Sequence, residues 1–81
     1  MNVYRARFNA ACPNNGAMIE YDLTIVVSRT VMVEAITDKL AEFQTGFHED
    51  FADVLHSEFG GTQRLQAYHH GVEITTFRGV I

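Results

Sequence analysis

Four histidines (His48, His56, His69 and His70) and a single cysteine, Cys12, are the side chains of this sequence suited to metal ligation, proton transfer or nucleophilic attack. Their spacing limits what they can do. His48 and His56 are eight residues apart, which is ~12 Å along a helix and too far for one ion. Asp53 and His56 share one helix face, but nothing near them supplies the further ligands of a zinc or di-iron site. Adjacent His69 and His70 would point to opposite faces of a strand or splay in a turn, and a solvated hairpin tip is their simplest place. Cys12 or Ser57 beside a histidine would make a nucleophile, yet the sequence puts these residues on separate elements with no motif joining them. Cys12 has no partner for an internal disulfide and reads as a small strand residue. Gly60-Gly61-Thr62 follows a helix instead of opening one, so its amides are not set to hold a phosphate. The expectation is a protein with no catalytic residues, no metal and no cofactor, and therefore not an enzyme.

The carboxylates are organised more clearly. From Thr30 to Gly61, Glu34, Asp38, Glu42, Glu49, Asp50, Asp53 and Glu58 stand against the single base Lys39, a local net charge of −6. Over the rest of the chain five arginines against three carboxylates leave +2, which gives the overall −4. Such a row of acids is either the solvated face of a helix or a stand-in for phosphates that occupies a basic groove on another protein. In the second case Asp38, Glu42, Glu49, Asp50 and Asp53 are the expected partner contacts. Nucleic acid itself is not an expected partner, because Arg5 and Arg7 face away from Tyr4 and Phe8 and have no aromatic interleaved with them.

One helical stretch must carry these acids. Its apolar residues Met32, Ile36, Leu40, Phe43, Phe47, Phe51, Leu55 and Phe59 recur every three or four positions and form one stripe. Ser28 or Thr30 offers an N-cap for a start near Val31. Gly46 costs ~1 kcal/mol inside a helix, and Thr45 would cap a new start, so the stretch reads as a kinked helix or two abutting ones. Gly60-Gly61 ends it.

Strands flank the helical stretch. Tyr4, Ala6, Phe8 and Ala10 alternate with Arg5, Arg7 and Asn9 in a half-buried strand from Val3 to Cys12. Pro13-Asn14-Asn15-Gly16 predicts a hairpin with Asn15-Gly16 as the turn. Ala17 to Ser28 follows, with Ile19, Tyr21, Leu23, Ile25 and Val27 inward and Glu20, Asp22 and Thr24 outward. A two-residue turn sets Arg7 against Thr24; a shift of two sets it against Asp22 and keeps the same faces. Thr62 to Tyr68, with Leu65 and Ala67 inward, and Val72 to Arg78 make a second strand pair about a turn at His69-His70-Gly71. The order is β-β-α-β-β. It implies an α+β fold, a four-stranded antiparallel sheet with a long or kinked helical layer on one face.

A chain of 81 residues supports one hydrophobic core, so 1–81 is expected to be a single domain. With 47% apolar and 20% charged residues it is not a disordered chain. No apolar run approaches the ~20 residues of a membrane span, and Met1-Asn2-Val3-Tyr4-Arg5 lacks the apolar segment of a signal peptide. A soluble, cytoplasmic protein is expected.

At Gln66-Ala67-Tyr68-His69-His70 the chain resembles a small phage-encoded anti-CRISPR protein of the group that inhibits type I surveillance complexes. The opening Met1-Asn2-Val3-Tyr4 is similar to the same group. The resemblance implies a stoichiometric, non-enzymatic inhibitor in the cytoplasm of an infected host cell, bound to a Cas protein of a type I surveillance complex and blocking target DNA engagement or nuclease recruitment. The resemblance transfers no catalytic motif, and the contacts named above come from their spacing on the helix. The competing expectation is a small homodimeric ligand-binding or regulatory α+β domain that uses its open sheet as the interface.

Overall fold

The computed structural model describes residues 1–79. Its elements are β1 (Asn2–Ala11), β2 (Met18–Val27), α1 (Val33–Ala41), α2 (His48–Phe59), β3 (Thr62–His69) and β4 (Val72–Arg78). The four strands form one antiparallel sheet in the order β1-β2-β3-β4. The α+β class and the four-stranded sheet agree with the sequence pattern. Of the helical layers the sequence allows, long, kinked or divided in two, the divided one is found, as two short helices, and the order becomes β-β-α-α-β-β.

Alternation decides which face of the sheet is buried. Phe8, Ala10, Ile19, Tyr21, Leu23, Ile25, Val27, Leu65 and Ala67 all point to the helices and are buried, as the period of two requires. From the helices come Ile36, Leu40, Phe51, Ala52, Leu55 and Phe59. Of the predicted stripe, Met32 and Phe47 fall just outside the helix starts and are exposed. At the centre, Phe8 and Tyr21 stack with ring centroids 4.8 Å apart, and Phe51 meets both edge-on at 5.6 and 5.4 Å. Among the described residues Gln63 is the one polar or charged side chain that is buried. Its Nε2 donates to the carbonyls of Leu55 and Gly60 at 3.0 and 2.8 Å, tying the end of α2 to the start of β3.

The first hairpin takes the shifted register, with Arg7 opposite Asp22 and Phe8 opposite Tyr21. The tight Asn15-Gly16 turn is not formed. A wider loop closes instead by Cys12 N–H to the Ala17 carbonyl and Gly16 N–H to the Cys12 carbonyl, both 2.8 Å. Asn15 Oδ1 accepts from the Ala17 N–H at 3.0 Å. Pro13 has no N–H to continue the ladder, which favours a loop over a longer strand. The second hairpin does have a two-residue turn. His69 pairs with Val72, and His70 and Gly71 take φ of 53° and 80°, the positive pair that a primed turn requires.

The helix starts also depart from expectation. Met32 and Phe47 are the N-caps, neither start has a side-chain cap, and Ser28, Thr30 and Thr45 do not serve. Tertiary contacts hold the break between helices instead. Ala11 N–H donates to the Gln44 carbonyl at 2.9 Å, and Gly46 N–H returns a bond to the Ala11 carbonyl at 3.3 Å. The helix-to-helix connection is thereby stitched to the end of β1.

Gly46 is needed for packing and not for its backbone angle. A Cβ built there would lie 2.6 Å from the ring of Phe51, which is itself buried. Relieving a glycine of its freedom ordinarily stabilises by ~0.4–1 kcal/mol, but overpacking a core costs ~1–3 kcal/mol, so the clash should decide the sign. Gly46→Ala is expected to lower unfolding free energy by about 1–2 kcal/mol in urea melts. A more stable variant would contradict the packing described here.

Candidate ligand-binding cleft

Strand order brings three connections to one end of the sheet: the β1–β2 loop, the α1–α2 connection and the β3–β4 turn. The loops touch there, with Asn15 Nδ2 2.9 Å from His70 Nε2. Between them a cleft of about 420 Å³ opens beneath the first turn of α2. Its chemistry comes from Cys12, Tyr21, His48, Glu49, Asp50 and His69.

Each of these side chains has a local reason to be there. Cys12 shares the inward parity of Phe8 and Ala10, so it continues the buried face one step past the strand. Glu49 and Asp50 occupy the first turn of α2, where carboxylates suit the positive end of the helix. His48 Nε2 lies 3.0 Å from the Leu65 carbonyl. A carbonyl only accepts, so Nε2 carries the proton and Nδ1 is left as the acceptor in the neutral ring. His69 Nε2 is buried and has no hydrogen-bond partner among the described residues. Such an atom is uncommon in a finished interior.

Burial sets the electrostatics. It pushes the Tyr21 phenol above its ordinary value, with Cys12 adding to the effect. It holds the His48 imidazole below the usual histidine value, against the opposing influence of the Leu65 carbonyl and Glu49 and with a smaller contribution from Arg78. The cleft therefore presents a neutral imidazole between a phenol and two carboxylates. One thiol, two imidazoles and two carboxylates make a set able to bind a polar ligand, exchange protons with it and attack it.

The five acids singled out in the sequence are shared between the two helices, Asp38 and Glu42 on α1 and its C-cap and the other three on α2. Glu49 and Asp50 line the cleft. Asp38 is exposed on α1, and Glu42 sits at its C-cap with Lys39 Nζ 3.4 Å away. Asp53 is held by Arg78 Nε at 2.7 Å. Among the described residues no group of three histidine, cysteine or acidic side chains is placed to hold a metal ion. Cys12, His48 and His69, which the sequence leaves on separate elements, are brought to one cavity. The parity of Cys12 was the available signal. What it faces depends on how the loops meet. No described helix is long and apolar enough to cross a membrane.

No protein-family model matches the chain, and no curated protein is similar to it in sequence. A solved structure is similar in fold: the crystal structure of the archaeosine synthase QueF-Like in its apo form. It superposes with a TM-score of 0.68 over 95% of this chain and 89% of that one, at 13% sequence identity. At that identity the likeness is one of fold.

The lowered His48 value makes a pH prediction. The unfolded imidazole protonates near ~6.5, while the folded one resists the proton to lower pH. The unfolded state therefore binds it first. The contribution is whole above ~6.5 and is lost as pH falls from there through the folded value. His48→Gln, which keeps a donor for the Leu65 carbonyl, should flatten that part of the stability curve in urea melts taken across this range. An unchanged slope would assign the acid sensitivity elsewhere.

Proposed function

We propose that this chain is a small-molecule-binding domain whose cleft takes a planar, nitrogen-rich heterocycle of the nucleobase kind. The observation that carries the reading is the meeting of Glu49, Asp50, His48 and His69 around one cavity. A carboxylate accepts two adjacent N–H groups side by side, which is the edge that guanine offers and adenine does not. The exposed ring of Phe47 at the rim is available to cover a flat ligand. A volume of about 420 Å³ falls in the usual range for small-molecule sites, ~300–1,000 Å³. The fold shared with a protein named as an archaeosine synthase supports a nucleoside-type ligand. Cys12 is the nucleophile such a site would offer, and the reading includes an enzyme that uses it.

Guanosine should bind in titration calorimetry and protect Cys12 from a thiol reagent. Adenosine should bind at least about tenfold more weakly, the size of one lost hydrogen bond to a charged group. Glu49→Gln and Asp50→Asn should between them remove that preference. If neither variant changes affinity, or guanosine leaves Cys12 equally reactive, the cleft is not its site.

A second reading, the type I anti-CRISPR inhibitor, is favoured by a separate observation. Asp38, Glu49 and Asp50 are exposed and form no ion pair among the described residues, so their field is open to a basic partner. It expects capture of a type I surveillance complex that weakens as salt rises. Converting Asp38, Glu42, Glu49, Asp50 and Asp53 to amides should abolish capture in a folded protein, and undiminished capture would end this reading.

A further inference from the structure

The face of the sheet turned away from the helices carries a second feature, independent of the cleft. Pairing across all four strands sets Arg5, Thr24, Arg64 and Phe77 in a single row. Side chains paired directly across strands stand on the same face. Arg5 and Arg64 are therefore two strand spacings apart, about 10 Å, with a hydroxyl between them and an aromatic ring at the end. A shallow groove of about 320 Å³ runs along this row, bounded also by Val26 and Thr62.

The two guanidinium groups are the unusual part. Three other arginines are engaged: Arg7 with Asp22 at 2.8 Å, Arg78 with Asp53 at 2.7 Å, and Arg29 with the Phe59 carbonyl. Arg5 and Arg64 form no ion pair or side-chain hydrogen bond among the described residues, and the Nε of Arg64 is buried without a partner. Carboxylates that share the face do not serve them. Asp22 is taken by Arg7, and Glu73 accepts from Gln66 Nε2 at 2.9 Å. In a chain of net charge −4 two like charges are thus left side by side with nothing between them but Thr24. An arginine fork is shaped for the paired oxygens of an oxyanion.

We propose that this row binds the phosphoryl group of a small ligand, with Arg5 and Arg64 on its oxygens, the Thr24 hydroxyl donating between them, and the Phe77 ring under any planar group the phosphate carries. Phe77 is 48% exposed, enough to stack. A long polyanion is disfavoured, because Glu20, Asp22 and Glu73 flank the row and the net charge repels it. The sequence pattern missed the aromatic because it lies on β4, far from Arg5 in the chain.

Two-dimensional NMR of the folded chain, titrated with inorganic phosphate, with AMP and with a short oligothymidylate at constant ionic strength, tests this. Saturable shifts are expected at Arg5, Thr24 and Arg64 with phosphate and with AMP. Arg5→Gln, at an exposed position, should weaken phosphate binding about tenfold with an unchanged melting temperature; Arg64→Gln should do the same, while Arg7→Gln should not. Tighter binding of AMP, lost in Phe77→Ala, would identify a nucleotide, and equal affinities would identify phosphate alone. Shifts that do not saturate, indifference to Arg5→Gln, or an oligothymidylate that outcompetes AMP would overturn the proposal. The guanosine titration is read at the opposite face of the sheet, so either result stands without the other.

Discussion

The edge of Phe51 set against the stacked faces of Phe8 and Tyr21 is the contact on which the rest of this structure depends. It joins β1, β2 and α2 in one place, and the partly buried Phe43 leans on the same cluster from the connection between helices, 4.6 Å from Phe51. Edge-to-face aromatic pairs are worth ~0.5–1.5 kcal/mol beyond the area they bury, and here three rings share two such contacts. With Phe51 fixed, the start of α2 has little freedom. Gly46 must pass over the ring without a side chain, and His48 is carried to the Leu65 carbonyl on β3.

The cleft follows from that anchoring. An antiparallel sheet in sequential order returns its loops to alternate ends, and two helices inserted between the middle strands add their own connection to the end that already holds both hairpin tips. The tips and the connection cannot close completely on one another, because the connection is bonded to Ala11 and the first turn of α2 is held by Phe51. What remains open is lined by the residues nearest those bonds. Tyr21 is fully buried there and His48 partly so, and burial is the main cause that displaces the protonation of both.

Much of the fold was legible in the sequence and most of the site was not. Strict alternation from Tyr4 to Ala10 and from Ile19 to Val27 named the buried face correctly, because a one-residue error would turn every apolar side chain to water. The break at Gly46 and the stop at Gly60-Gly61 were readable for the same reason of local chemistry. Cap residues misled, since neither helix start uses a side-chain cap and the connection before α2 is held by backbone bonds to Ala11. Asn15-Gly16 misled too, because the loop is closed through Cys12 and not through a tight turn. The acids are shared between two helices, as the break at Gly46 allows, but the sequence does not say what each helix faces, and Glu49 and Asp50 end in a cleft with a thiol more than thirty positions away. Gln63, inward by parity among apolar neighbours, was a signal present in the sequence, and two carbonyls accept from its Nε2 while its Oε1 is buried without a partner among the described residues.

The placement of the start of β1 and the end of β4 has a practical corollary. Asn2 pairs with Val27, and Gln63 with Arg78, so the first and last strands both run out at the end of the sheet remote from Cys12 and His48. A tether fixed to the start of β1 or to the end of β4 therefore leaves from the side of the sheet away from the cavity.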